Sequence, residues 1–408
     1  MKIETIGDVD KQTKSIKLAN ACIKITKGTT PTTLGMEFSK SGVPFVRVNN
    51  FKEGMLNLNG NILFVSQNTH EALARSIIKE GDVLLSIAGT IGRICVVPPK
   101  SPDANCNQAV CIIRVDDKLL INRYLQRWLN SASATSQLLG RKVTGVISNL
   151  SLTNVRNLQI PLPPLTEQKR IAKTLDATDA LRTKRRESLA QLDDFLKSTF
   201  LDMFGDPVTN PMGWPTEPLE ALCERIIDCP HSTPHYADEK TDFLCVRSSE
   251  IQNGNLVLAK ARHVSATVYN KRIARHEPQA GEVVYTREGG RLGLAGIIPQ
   301  NKKVCLGQRM MLFGGNPKVA TNTYIWGFLH CPAIYRKVIA MSGGGAAPRV
   351  NIKQLRQLKA TRPPLALQTK FAAIVQSVEQ QKSRMKTHLT ELDTLFAALQ
   401  QRAFNGEL

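Results

Sequence analysis

The heptapeptide Leu162-Pro163-Pro164-Leu165-Thr166-Glu167-Gln168 returns as Arg362-Pro363-Pro364-Leu365-Ala366-Leu367-Gln368, an offset of 200 residues. The match runs on through Ala172 and Ala372, Leu189 and Leu389, Leu192-Asp193 and Leu392-Asp393, and Phe204 and Phe404. Arg156-Asn157-Leu158 precedes the first copy as Arg356-Gln357-Leu358 precedes the second. Upstream the same offset pairs Val46-Arg47 with Val246-Arg247, Gly54 with Gly254, Ala74-Arg75 with Ala274-Arg275, Gln108 with Gln308 and Tyr124 with Tyr324. So long a period is no solenoid; it marks a pseudo-two-fold internal duplication. The chain divides into a variable region over residues 1–150, a shared segment over 151–206, a second variable region over 207–349 and a second shared segment over 350–408.

Each shared segment reads as a long helix. Ile171, Leu175, Thr178, Arg182, Arg185, Leu189, Leu192, Leu196, Thr199 and Met203 alternate steps of four and three, a heptad seam. The second copy carries Phe371, Val375, Val378, Lys382, Met385, Leu389, Leu392, Phe396, Leu399 and Ala403 at the matching places. The prolines mark each start, with Thr166 a candidate cap for the first helix. About 38 residues at 1.5 Å each make a rod of roughly 55–60 Å. A single apolar stripe needs a partner. The other copy is the simplest one, giving two antiparallel helices in coiled-coil fashion. Ile171, Leu175, Leu189, Leu192, Leu196, Val375, Val378, Leu389, Leu392 and Phe396 are the expected packing positions. Arg182 and Lys382 interrupt both seams; we expect them to snorkel, the other reading being a polar position that sets register or meets a partner.

The variable regions read as α/β or α+β. Apolar runs at 43–48 and 82–87, and at 243–246 and 282–285, have strand character, and Gly-rich turns follow at 88–93 and 288–293. Helices are expected over 122–139 and 322–340.

The composition narrows the function. The 408 residues carry 54 Lys+Arg against 34 Asp+Glu, a net charge of +20. Residues 1–149 hold 19 basic and 11 acidic side chains, and residues 207–349 hold 17 and 11. Such a balance points to a polyanion, of which nucleic acid is the commonest; a merely basic protein is the bland alternative. No long apolar run marks a membrane span. Met1–Asp8 lacks the apolar core of a signal peptide, so a cytoplasmic protein is expected. The nine cysteines contain no Cys-x-x-Cys pair, so they read as reduced thiols rather than metal ligands. No Gly-x-x-x-x-Gly-Lys-[Ser/Thr] loop, no Asn/Asp-Pro-Pro-aromatic motif and no Ser/His/Asp set is present. Gly289-Gly290-x-x-Gly293 lacks the dinucleotide spacing, and Pro234 between His231 and His235 breaks any helical zinc face. No metal, cofactor or catalytic residue is therefore expected on this chain.

What remains are loops of residue types that read base edges and phosphates. The first region offers Lys27, Thr29 and Thr30; then Arg47, Asn49 and Asn50; then Arg93; then Asn107 and Gln108 within Asn105–Gln108. The second offers His231, Ser232, Thr233, His235 and Tyr236; then Arg247 and Ser248; then Arg291; then Gln308 and Arg309. Each loop alone is more readily a solvated turn. Their recurrence at matched positions on two basic regions favours DNA.

In combination these features resemble the specificity subunit (HsdS) family of type I restriction–modification systems, over nearly the whole chain. The resemblance rests on Leu158–Gln168 with Ile171-Ala172 after it, and on the repeat at Arg362–Gln368, where Leu367 replaces the usual Glu. It rests also on Asp228-Cys229-Pro230-His231-Ser232-Thr233-Pro234, with Cys229 in place of the usual Gly, and on its shorter counterpart Lys27–Pro31. Phe204-Gly205-Asp206-Pro207 and Gly213-Trp214 resemble the family's junction between halves. The resemblance implies two target recognition domains, each reading one half of a bipartite, asymmetric double-stranded DNA site. It implies two helices that set the spacer and dock two modification (methyltransferase) subunits, with restriction/translocase subunits beyond them. S-adenosylmethionine and ATP with Mg are then expected on those partners, and this chain is non-catalytic. Other readings left open are a stand-alone two-domain DNA-binding regulator, an enzyme with an unrecognised site, and a structural coiled-coil protein.

Overall fold

A computed structural model of the chain describes residues 14–52, 54–140, 149–343, 345 and 347–408; the reading of Met1–Asp8 falls outside them. Residue contacts divide the chain into two units, one gathering residues up to Lys184 together with His388–Leu408, the other Arg185–Thr387.

Each unit is built on a six-stranded sheet. In the first the order is Cys22–Lys27, Val110–Val115, Val83–Ser86, Ile94–Val96, Met55–Leu56 and Phe51–Lys52. In the second it is Cys223–Asp228, Met310–Gly315, Val283–Thr286, Ala295–Ile297, Asn255–Leu256 and Ile251–Gln252, the same connection pattern. All neighbours are antiparallel except Met55–Leu56 beside Ile94–Val96 and Asn255–Leu256 beside Ala295–Ile297. Helices cover part of these sheets, so the architecture is of the α+β kind. A smaller sheet is centred on a parallel pair, Val43–Val46 with Ala104–Cys106 in the first unit and Phe243–Val246 with Lys303–Leu306 in the second. Strands Val83–Ser86 and Val283–Thr286 are buried on both faces, which accounts for their unbroken apolar runs.

Two expected helices are each two. Asn122–Leu129 stops, and Ser131 accepts the Ala134 N–H at 3.2 Å to start Ala132–Leu139. Asn322–His330 stops before Pro332, which has no N–H to donate and instead opens Pro332–Met341.

The long helices are Leu165–Phe204 and Leu365–Asn405. Both begin directly after a Pro-Pro pair, so Thr166 lies inside the first turn and is not its cap. Both end on a left-handed glycine, Gly205 at φ +75° and Gly406 at φ +79°, where a side chain would be strained. Ile171 and Leu175 enter the core of the first unit, together with Ala403 and Phe404 and with Phe396 packed at its edge. Leu196, Phe200, Phe204, Phe371, Val375 and Val378 enter the core of the second. Leu189, Leu192, Leu389 and Leu392 are half-buried. Within a unit the two helical segments run in opposite directions. In the second, Phe200 meets Phe371 at 5.6 Å between ring centroids, and Asp193, further back, meets Lys382, further on.

The cations in the heptad seam do not snorkel. Lys382 is 2% exposed, with Nζ 2.6 Å from Asp193 and 2.5 Å from Glu379. Arg182 pairs with Asp393 at 2.6 Å and Asp179 at 2.9 Å, and its guanidinium lies 4.3 Å from the centroid of Phe396. A buried cation needs its counter-ion in place, because desolvation costs more than hydrophobic contact returns. The pairs are reciprocal: 182 with 393 in one unit, 382 with 193 in the other.

The glutamine of the repeated motif joins each long helix to its own domain. Gln168, with no exposed surface, accepts the Ile121 N–H at 2.9 Å and donates to Leu119 O and Pro163 O, both at 2.9 Å. Gln368 does the same with Thr321 N–H at 2.9 Å, Val319 O at 3.0 Å and Pro363 O at 2.9 Å. A short pair of strands reinforces the junction in each unit, Ser15–Lys17 with Gln159–Pro161 and Thr216–Pro218 with Lys359–Thr361. All nine cysteines are free and seven are buried.

Candidate nucleic-acid interface

In the first unit backbone hydrogen bonds gather four segments that are far apart in sequence. Beyond Lys27, which is exposed at the end of its strand, Gly28 N–H donates to Val110 O at 3.0 Å and Thr29 N–H to Cys106 O at 3.0 Å. The approach is so close that a Cβ on Gly28 would lie 2.1 Å from the Cys106 carbonyl oxygen; only glycine fits. Asn107 N–H reaches Val46 O at 3.2 Å, which brings Arg47–Asn50 alongside, and Ile87 N–H reaches Ala109 O at 2.8 Å, which brings the turn bearing Arg93. Thr30 donates its hydroxyl to Gln108 Oε1, and Arg75 donates to Thr29 Oγ1 at 3.3 Å.

The second unit repeats the arrangement. Cys229 N–H donates to Met310 O at 3.2 Å, Gly307 N–H to Val246 O at 2.7 Å and Arg287 N–H to Arg309 O at 3.1 Å. Gln308 Nε2 donates to Thr233 Oγ1 at 3.2 Å, the counterpart of the Thr30–Gln108 contact. Ser232, His235 and Arg309 are exposed. Tyr236 lies 5.8 Å from the guanidinium carbons of both Arg247 and Arg262.

The structure thus brings together Thr29, Thr30, Arg47, Asn107 and Gln108 on one unit, and Thr233, Tyr236, Arg247, Gln308 and Arg309 on the other. It engages some of the expected residues in contacts within the protein. Asn50 is 7% exposed and its Oδ1 is spent on the Arg47 N–H at 2.9 Å, while Asn49 beside it is exposed. Arg291 donates to Ser248 O at 3.0 Å and Ile251 O at 2.5 Å, so both it and the Ser248 carbonyl serve the loop itself. His231 pairs with Asp228 at 3.0 Å and accepts from Arg287 at 3.2 Å; a ring protonated on Nε2 satisfies both. Asn105, quoted with Asn107 as loop, is in a strand and wholly buried, bonded to His70 Nδ1 at 2.7 Å.

Sequence reasoning missed two supporting arginines. Arg272 ties the 230–232 loop to the strand ending at Leu306, donating to Ser232 O at 3.1 Å, Pro230 O at 3.2 Å and Leu306 O at 2.7 Å. Arg287, 6% exposed, is paired with Asp228 at 2.9 Å and Glu288 at 3.0 Å. Its repeat counterpart is Ile87, so the offset held no hint of it.

Among the described residues six buried side-chain polar atoms find no hydrogen-bond partner, and three of them, Arg47 Nε, Asn107 Oδ1 and Gln308 Oε1, belong to these loops. Buried polar groups are almost always satisfied. These three atoms lie beneath the surface of the loops, where the protein leaves them unmatched. Among the described residues no three His, Cys, Asp or Glu are grouped as metal ligands, and no helix is long and apolar enough to cross a membrane.

A family model, the type I restriction modification DNA specificity domain, matches residues 12–191 and 248–393. The chain is similar to the specificity subunit of the type I restriction enzyme EcoBI of Escherichia coli, 26% identical over 176 residues. That alignment takes in 42% of this chain and 36% of the relative, so it spans about a third of the relative's length. It is 22% identical to the specificity subunit of EcoKI of Escherichia coli strain K12 over 392 residues, 90% of this chain and 82% of that one. A chain in a solved type I restriction–modification system shares the fold with a TM-score of 0.60 at 20% identity, covering 97% of this chain and 98% of that one.

Proposed function

The chain belongs to the family of type I restriction–modification DNA specificity proteins, and from that premise we propose that it selects the DNA sequence on which such a complex acts. Residues 1–150 and 207–349 are its target recognition domains. Each reads one half of a bipartite, asymmetric site in double-stranded DNA. Residues 151–206 and 350–408 are the linkers and long helices, which pack as an antiparallel coiled coil, set the spacer and dock two modification subunits. The duplication at an offset of 200 explains why two related but unlike halves read unlike half-sites. Catalysis belongs to the partners: S-adenosylmethionine on the modification subunits, ATP and Mg on the restriction/translocase subunits. The complex works in the cytoplasm.

The observation that carries this reading is the loop cluster found twice, with a threonine–glutamine contact at its centre each time and exposed polar side chains such as Lys27, Asn49, Ser232, His235 and Arg309 around it. Lys, Arg and hydroxyl groups suit phosphates, and Asn, Gln and Arg suit base edges. A stand-alone regulator has no support, since the named relatives are specificity subunits. The test is a genome-wide map of methylated adenines by single-molecule sequencing, with and without this reading frame. Loss of one bipartite motif along with the frame is the expected result. An unchanged methylome, with the partner genes expressed, refutes it.

A further inference from the structure

We propose that the two units use their matched arginines differently: Arg47 clamps a phosphate of the bound duplex, whereas Arg247 is a positioning residue held by its own unit. The inference rests on the DNA-binding reading above and deepens it.

The two positions share one backbone design. Arg47 opens the turn Val48–Asn50 and Arg247 the turn Ser248–Glu250. In each, the arginine N–H donates to the side-chain oxygen of the third residue on, at 2.9 Å for Asn50 Oδ1 and 2.8 Å for Glu250 Oε2. In each, that residue's N–H returns to the arginine carbonyl, at 2.8 and 3.1 Å. The difference is amide against carboxylate. Glu250 is 3% exposed, so its charge must be met inside the protein. Arg247 meets it with Nη2 at 2.8 Å from Oε1 and Nε at 3.3 Å from Oε2, and Ser249 adds its hydroxyl at 2.8 Å. Leaving the pair for DNA would strand a buried carboxylate.

Asn50 makes no such demand. Among the described residues no carboxylate lies within ion-pair distance of Arg47, and its Nε is buried with nothing to donate to. A half-buried cation with no counter-ion among the described residues, in the same loop cluster as Thr29, Thr30 and Gln108, is completed by an anion from outside. On a duplex that anion is a backbone phosphate.

The test measures how binding of the full-length chain depends on salt. The probe is a fluorescent mixed-sequence duplex of about 40 base pairs, titrated by anisotropy from about 50 to 300 mM KCl; each phosphate contact contributes about 0.9 to the log–log slope. Arg47→Ala should lower the slope by about 0.9 and Arg47→Lys should keep it, because a point charge suffices. Asn50→Glu, which gives Arg47 a carboxylate, should also lower it. The double variant Arg247→Met with Glu250→Gln removes the second pair without stranding a charge and should leave the slope unchanged. Glu250→Gln alone releases Arg247 and should raise it. Thermal melting checks that each variant is folded. An unchanged slope in folded Arg47→Ala, or an equal drop in the Arg247/Glu250 double variant, overturns the inference while DNA binding stands. A wild-type chain with no measurable slope overturns the DNA-binding reading itself.

Discussion

Replacing Gln368 with leucine takes one amide out of the second unit, and the cost is almost wholly polar. The side chain has no exposed surface, and leucine is near enough in size to keep the packing. Gln368 Oε1 accepts the Thr321 N–H at 2.9 Å, and Nε2 donates to Val319 O at 3.0 Å and Pro363 O at 2.9 Å. Orphaning the N–H costs about 1–3 kcal/mol, and the two carbonyls, each with a second lone pair, add less. The total is roughly 2–4 kcal/mol. For a unit of about 150–250 residues each kcal/mol moves the midpoint by about 2–4 °C, so the loss is roughly 4–16 °C. Calorimetry on the full chain reads the shift, and hydrogen exchange at Thr321 shows where it arises. Gln168→Leu should do the same to the first unit. A Gln368→Leu chain that melts within about 1 °C of the parent, with Thr321 still protected, refutes the clamp.

Phe200 is 3% exposed and touches Phe204 at 5.0 Å, Phe371 at 5.6 Å and Tyr324 at 5.8 Å between ring centroids. Phe200→Ala should cost about 3–5 kcal/mol, read from the urea midpoint. Gly28→Ala forces backbone apart at Cys106 and should cost about 1–3 kcal/mol; a footprint should lose protection over one half-site only. Burial, with Lys197 beside it, lowers His330 from its ordinary value of 6.5 to about 4, with Asp193 and Lys382 also facing the ring. The unfolded chain takes up that proton near pH 6.5. Between about pH 6.5 and 4 the unfolded state therefore binds more protons, and stability falls as the pH falls. His330→Phe should flatten that dependence, which urea midpoints on either side of the window will show.

The long helices were legible because a heptad repeats and Pro-Pro stops a helix whatever surrounds it. Their capping was not: Thr166 has the right chemistry two residues too late. The break at Asn130-Ser131 lay hidden in a stretch with no Gly or Pro, and the break at Pro332 was passed over although proline forbids continuation. Gln168 and Gln368 stood in the quoted motif, yet their work depends on partners 47 to 49 residues away, which no local pattern encodes. The candidate loops were found by residue type and repeat position. Which of their side chains face outward depended on neighbours: Asn50 and Glu250 occupy equal places, one an amide and the other a carboxylate, and only the structure shows that Glu250 is buried and turned back onto the guanidinium of Arg247. The seam cations were misread for the same reason, since Asp193 and Asp393 come from the other helix.

The packing of Phe404 against Tyr124, with ring centroids 5.5 Å apart, bears on how the chain is made. The first unit closes its core with Ala403 and Phe404, whereas the second is drawn from one continuous stretch, Arg185–Thr387. At about 5–20 residues per second, the ribosome needs roughly 10–40 s between emission of the first unit's domain and the helix end that seals it. The unit begun first is thus the one finished last. During that interval Tyr124, Leu175 and Ile171 lack their cover, and a nascent-chain chaperone has an apolar surface to hold. Synonymous changes that slow translation between the two units should therefore aggregate the first while sparing the second.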